Sequence, residues 1–222
     1  MEKKEFVNNQ VKIAGWVVSG FSFSHEVYGE RFYMVDISVL RLSKSSDIIP
    51  VMVSERLMDV KNDYRGYVLE VTGQFRSYNR HEETKNRLVL SVFAREVTVY
   101  EGESGEQNPN YIFLDGYVCK RPIYRKTPLG REIADVLLAV NRPYGKSDYI
   151  PCVFWGRNAR YADQFEVASH IQIWGRIQSR EYQKRIDEDK YVIRIAYEVS
   201  VSKMEVVEEQ EGEKNDGEEK KL

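Results

Sequence analysis

The chain has 222 residues, of which 42% are hydrophobic, 12% aromatic and 31% charged, with a formal net charge of −2. That balance fills small cores and keeps the surface hydrated; with no run of 18 or more apolar residues, and no apolar stretch or small-residue cleavage site in MEKKEFVNNQ, it argues against membrane insertion and secretion and for a cytoplasmic location. Two cysteines, Cys119 and Cys152, lie in apolar strand-like segments, which excludes a disulfide framework, leaves a metal site without ligands, and predicts buried reduced thiols.

Residues 10–18 (QVKIAGWVV) alternate apolar Val11, Ile13 and Val17 with Lys12, Ala14 and Trp16, the period of a half-buried strand. A loop is predicted over 19–30, then a second strand in RFYMVDISVLR with Val35, Ile37 and Val39 inward, and a third starting near Asp47. Pro50 cannot donate to a ladder, so that part of the third strand is expected at an edge or bulge. Helix-like spacing over 55–65 predicts one short helix, and YVLEVTGQFRSY with LVLSVFAREVTV reads as a hairpin around NRHEETKN.

The same order then returns. Gly15, Pro50, Gly73 and Val97 recur as Gly116, Pro151, Gly175 and Val199, a constant 101 to 102 residues later. A repeat that long predicts two separately folded copies rather than a solenoid. In the second copy YIFLDGYV is the first strand, 119–130 the loop, and REIADVLLAVNR the second strand with Val136, Leu138 and Val140 inward. The third strand starts near Asp148, the helix falls in 157–168 with Ala159, Ala162 and Phe165 on one side, and the hairpin turns at QKRIDEDK. Each copy thus reads strand, strand, strand, helix, strand, strand. The predicted fold class is all-β: two tandem OB-fold five-stranded barrels, each with one short helix between strands 3 and 4. The expected domains are 1–100, a polar linker 101–110 (EGESGEQNPN), 111–204, and a disordered acidic tail 205–222. Trp16 and Trp174 flank the repeat glycines and are expected to point outward, where barrels meet.

Charge is not shared evenly between the copies. Residues 1–110 carry 14 basic and 16 acidic side chains, 111–204 carry 16 and 11, and 205–222 carry 3 and 8, giving −2, +5 and −5. An anionic partner is therefore expected at the second copy. There, basic and aromatic residues interleave along CKRPIYRKTPLGRE, NRPYGKSDYIPCVFWGRNAR and GRIQSREYQKR. Flat rings stack on unpaired bases while Lys and Arg follow phosphates, a combination suited to single strands. The ordinary alternative for any one ring is that it fills the barrel. His25, His81 and His170 are scattered, with no catalytic or phosphate-cradling motif around them, so no enzyme, cofactor or metal is expected.

Pro122-x-x-Arg125-x-Thr127-Pro128-x-Gly130, then Leu138-Ala139-Val140-Asn141-Arg142-Pro143-Tyr144, then Phe154-Trp155-Gly156, and finally Gly175-x-Ile177-x-Ser179-Arg180-x-Tyr182 stand in the order found in bacterial single-stranded DNA-binding proteins, which residues 110–204 resemble. The resemblance implies base stacking on Tyr144, Tyr149, Trp155 and Tyr182. It implies phosphate contacts from Arg125, Arg142, Arg157, Arg176, Arg180, Lys184 and Arg185. It further implies single-stranded DNA as partner in replication, recombination or repair, and a homo-oligomer, here a dimer that would bring four barrels together. Carried back through the repeat, the stacking places hold Ser43, Ile48, Ser54 and Arg80. The first copy is therefore expected to support assembly, extend the path weakly or contact another protein, although Phe21, Phe23, Tyr28 and Tyr33 lie in or beside its first loop and Tyr78 near the fourth stacking place. The ending Glu218-Glu219-Lys220-Lys221-Leu222 lacks the apolar or aromatic tip with which the family docks replication and repair proteins. Two other expectations stay open: a protein-interaction module of a primosome or mobile-element replication complex, and an RNA-directed OB protein.

Overall fold

A computed structural model of the chain describes residues 8–82, 85–102, 109–187 and 190–208. Most of the expected linker (103–108), the hairpin tips at 83–84 and 188–189, and the acidic tail from 209 onward lie outside the described residues. The first copy forms β1 (Asn9–Val17), β2 (Ser22–Val27), β3 (Glu30–Leu40), β4 (Ser46–Ser54), β5 (Val68–Glu82) and β6 (Lys85–Tyr100). The second forms β7 (Asn110–Val118), β8 (Ile123–Lys126), β9 (Glu132–Asn141), β10 (Ser147–Trp155), α1 (Arg157–Ala162), β11 (His170–Asp187) and β12 (Lys190–Val206).

Each half closes on itself. β1 pairs with β5, β5 with β6, β6 with β4, β4 with β3, and β3 returns to β1; the circuit β7, β11, β12, β10, β9 repeats this. That is the five-stranded OB circuit. Alternation supplies the core: Val11, Ile13 and Val17 of β1, and Val136, Leu138 and Val140 of β9, are buried. Closure also explains two of the repeated glycines. A Cβ on Gly15 would collide with the backbone carbonyl of Ser38 on β3, and one on Gly116 with that of Ala139 on β9.

Several expectations need correction. The loops 19–30 and 119–130 contain β2 and β8, which add to β3 and β9 as short edge strands. The hairpin arms run through the polar stretches read as turns, with Glu82 paired to Lys85 and Asp187 to Lys190. The two hairpins also differ in length, so the end of the repeat shifts. Gly73 lies opposite Ala94 and Gly175 opposite Val201, and Val92 and Val199 take the same parallel pairing with β4 and β10; Val199 therefore corresponds to Val92, not Val97.

Residues 55–65 form turns instead of the expected helix. The Asp59 and Asp63 carboxylates accept the backbone N–H groups of Lys61 and Arg65 at 3.1 Å each, so the side chains compete with a helical ladder. In the second copy, by contrast, Ala159 and Ala162 bury one side of α1 against Phe165 and the barrel. Cys152 is buried as expected, and burial pushes its thiol well above the ordinary range, whereas Cys119 is only half-buried.

The two barrels join through one antiparallel ladder between β1 and β7, from Asn9 opposite Leu114 to Ile13 opposite Asn110. Neither tryptophan flanking the glycines makes this seam. Trp16 lies past its end with 39% exposure, and Trp174 packs on Phe113 at 5.1 Å beneath Lys203 at 4.3 Å.

Candidate nucleic-acid interface

The barrel faces turned away from the core carry the residues of interest, and the seam decides which cations can reach them. Asp47, buried, accepts the Ser179 backbone N–H at 2.6 Å and the Arg41 Nε at 2.6 Å, with Arg176 Nη1 at 3.3 Å. The other barrel answers with the same Asp, Arg and Ser, and has Gln74 at the place of Arg176. Buried Asp148 accepts the Ser77 backbone N–H at 2.6 Å and Arg142 Nε at 2.6 Å, while Arg142 Nη2 donates to the Ser77 carbonyl at 2.8 Å. Burial opposes a charge on Asp47, but Arg41, the Ser179 amide and Arg176 together hold its carboxyl below the usual range. Burial and the nearby Arg41 lower the proton affinity of Arg176.

Arg142 and Arg176, expected to track phosphates, are thus committed to the joint between barrels. Neither Arg41 nor either aspartate was singled out from the sequence. The clue was available, since Arg41 with Asp47 and Arg142 with Asp148 keep one spacing in both copies, as do Asn9 and Asn110, each of which brackets a β5 or β11 backbone group at 2.8–2.9 Å.

On the second barrel, β10 buries Ile150, Cys152 and Phe154, so alternate positions Tyr149 and Trp155 face outward, 47% and 38% exposed. Trp155 Nε1 donates to Ser200 Oγ of β12 at 3.0 Å, which fixes the indole while leaving its face open. Tyr144 tops the turn between β9 and β10 at 99% exposure and in the left-handed region, φ 66°. A bulky side chain held there costs free energy that no packing of its ring returns. Arg157 follows Trp155 after one residue and is exposed.

The long β11–β12 ribbon sorts the remaining candidates. Its register places Arg180, Tyr182 and Lys184 on one face with Arg194 and Val192. The Arg180 guanidinium lies 6.0 Å from the Tyr182 ring centroid and 3.6 Å from Glu198. Arg185 points to the opposite face, which carries exposed Tyr191, Ile193 and Ile195. Those three alternate along the strand that follows the predicted turn QKRIDEDK, where the sequence gives no sign that the ribbon extends beyond the barrel. Arg125, on β8, pairs with Asp135 at 3.0 Å. The structure therefore sets Tyr149 and Trp155 toward opposite ends of β10, with Arg157 just beyond Trp155, and Arg180, Tyr182 and Lys184 along the ribbon, and it draws Arg142 and Arg176 into the joint and Arg185 to the other face.

Among the described residues no group of three or more His, Cys, Asp or Glu could hold a metal, and no helix is long and apolar enough to cross a membrane. The model of the single-strand binding protein family matches residues 109–207. The single-stranded DNA-binding protein of Oceanobacillus iheyensis is 31% identical over 115 residues, 49% of this chain and 71% of that protein. This chain belongs to the single-strand binding protein family. Single-stranded DNA-binding protein B of Bacillus subtilis is 31% identical over 93 residues, 39% of this chain and 82% of its own length. In the solved structures, the single-stranded DNA-binding protein from Thermus aquaticus superposes with a TM-score of 0.71 over 91% of this chain and 94% of that one, at 16% identity, which shows that the two share the tandem-barrel fold. The family relation thus rests on the second barrel and the fold likeness covers both.

Proposed function

We propose that this chain binds and shields single-stranded DNA without catalysing a reaction, in replication, recombination or repair. Bases stack on Tyr149, Trp155 and Tyr182, with Tyr144 as an outlying ring, while Arg157, Arg180 and Lys184 follow the phosphates and Arg125 can exchange Asp135 for one. The observation that carries this reading is that, within the region matching the family, rings reach solvent beside cations on one outward face. Stacking contributes about 1–3 kcal/mol per base and accepts any base, whereas the cations give affinity that falls with salt. Residues 111–204 are the main binding domain in this proposal, 1–100 the supporting one, 101–110 the linker and 205–222 an acidic tail.

Titrating the full chain with single-stranded and duplex oligonucleotides at two salt concentrations tests the proposal. Tight, salt-sensitive binding of the single strand alone is expected; equal binding of duplex would overturn it. Matched DNA and RNA oligomers then separate this reading from an RNA-directed one.

Exposed Tyr191, Ile193 and Ile195 on the ribbon's other face favour a second contact, made with protein. We assign it to a second copy of the chain, which would bring four barrels together. A mass that doubles with concentration, and stays single in Ile193→Lys, is the expected result; a monomer at all concentrations would return this face to the interaction-module reading.

A further inference from the structure

We propose that the outward face of the first barrel holds its own site for an unpaired nucleobase and its flanking phosphates, built from residues other than the family's stacking set. The inference rests on the reading that the second barrel binds single-stranded DNA. Its starting point is a change of strand. Val153 and Ser200 are neighbours across the parallel pairing of β10 with β12, and Met52 and Phe93 are neighbours across that of β4 with β6. In the second barrel the ring beside this point is Trp155, bonded to Ser200. In the first barrel β4 ends in Ser54, buried and hydrogen-bonded to Glu30, and the ring is Phe93, at the place of Ser200. The aromatic is not lost from this face but supplied by β6.

Around Phe93 a stacked array continues. The Arg76 guanidinium lies over its ring at 4.0 Å, Phe32 packs beside it at 5.6 Å, and His25 stacks on Phe32 at 5.0 Å and 12°. A groove of about 720 Å³ opens there, lined by Phe23, His25, Met34, Met52, Tyr78 and Phe93, with Arg76 and Arg142. That volume lies in the range of small-ligand sites. Its aromatic edges stand in solvent, Phe23 at 60% and Tyr78 at 39% exposure.

Charge selects the occupant. The second barrel has carboxylates at Asp135 and Glu198 where the first, at equivalent register, has Met34 and Ser91. The groove lining accordingly contains no carboxylate, and of its two guanidinium groups Arg142 is held by Asp148, which leaves Arg76 to meet a phosphate. The first copy's net negative charge lies elsewhere, as in Glu26 and Glu30, which pair with Arg31 and Arg56. A flat, apolar, cation-lined groove fits a base attached to phosphate. It also fits the same strand that occupies the second barrel, because Arg142 enters the groove from the segment that leads directly to Tyr144.

The full chain is tested with oligothymidylates of about 10 and about 30 nucleotides, one within and one beyond the reach of a single barrel. Phe23→Ala with Tyr78→Ala, and separately Phe93→Leu, which keeps an apolar filler but removes the ring, should lower affinity for the long strand about tenfold, one stacked base's worth. Oligonucleotides carrying photoreactive thymine analogues should cross-link to β2, β5 or β6 as well as to 144–185. Unchanged long-strand affinity in both variants, with cross-links confined to 144–185, would overturn the site while leaving the second-barrel reading intact. If Trp155→Ala and Tyr182→Ala leave short-strand binding unaltered, it is the second-barrel reading that falls. Displacement of the oligonucleotide from 144–185 but not from the groove by excess short oligothymidylate would also support two distinct sites.

Discussion

Where β10 ends, the second barrel holds out Trp155; where β4 ends, the first turns the Ser54 hydroxyl inward to Glu30. Yet at the other end of the same two strands, at the joint between barrels, the two copies match: Arg41, Asp47 and Ser179 on one side, Arg142, Asp148 and Ser77 on the other. Positions that face the partner barrel need a partner that complements them, and a duplicated chain meets that need by keeping both sets alike. Positions that face solvent carry no such constraint. The difference teaches that likeness between the copies measures assembly, and unlikeness measures what each copy touches.

The largest expected effect breaks the alike part. Asp47→Ala or Asp148→Ala leaves a half-buried guanidinium without its carboxylate and should cost about 3–5 kcal/mol in chemical denaturation, with the Asp47 variant losing more because it also strands Arg176. Equal losses would show that the Arg176 pair adds nothing to the joint. Next comes the unlike part: Trp155→Ala should weaken oligothymidylate binding by about 1–3 kcal/mol with little effect on melting, read by fluorescence anisotropy. Arg180→Ala should chiefly flatten the salt slope, by about one unit in a log–log plot, whereas Arg176→Ala should lower stability and leave that slope nearly unchanged. Tyr144→Gly removes a left-handed non-glycine residue, so melting should rise by about 1 kcal/mol or less of stability while DNA binding weakens, two effects of opposite sign.

Acid gives the finest test. Because the folded carboxyl of Asp47 titrates below its unfolded value of about 4, the stability it contributes is present above that pH and is lost as the pH falls further, through the folded value. Asp47→Asn should remove this acid limb from a stability-versus-pH curve; an unchanged limb would assign it to other carboxylates.

Strands with one wet face announced themselves, since Val35, Ile37 and Val39, or Val136, Leu138 and Val140, alternate with polar residues and are buried. β2 did not, because none of its residues is buried and Ser22–Val27 offers no two-residue rhythm to read. The turn at 55–65 has apolar spacing that passes for helix, and only the local reach of Asp59 and Asp63 to the backbone decides against it. The outward rings of the second barrel could be read because they sit at alternate positions in strands. The commitment of Arg176 could not, since it depends on a group 129 residues distant, whereas Arg142 and Asp148 repeat the spacing of Arg41 and Asp47. Likewise Phe93 was masked by the unequal hairpins, which displaced the repeat just where the ring changed strands.

The β1–β7 ladder joins two halves whose outer surfaces differ, and so gives the molecule a head and a tail. A symmetric pair would meet a polynucleotide identically from either end. A strand crossing this seam runs 5′ to 3′ from one kind of face to the other, or the reverse, and the two orders are not equivalent. If single-stranded DNA is bound as proposed, its two polarities meet unlike faces without any base being read.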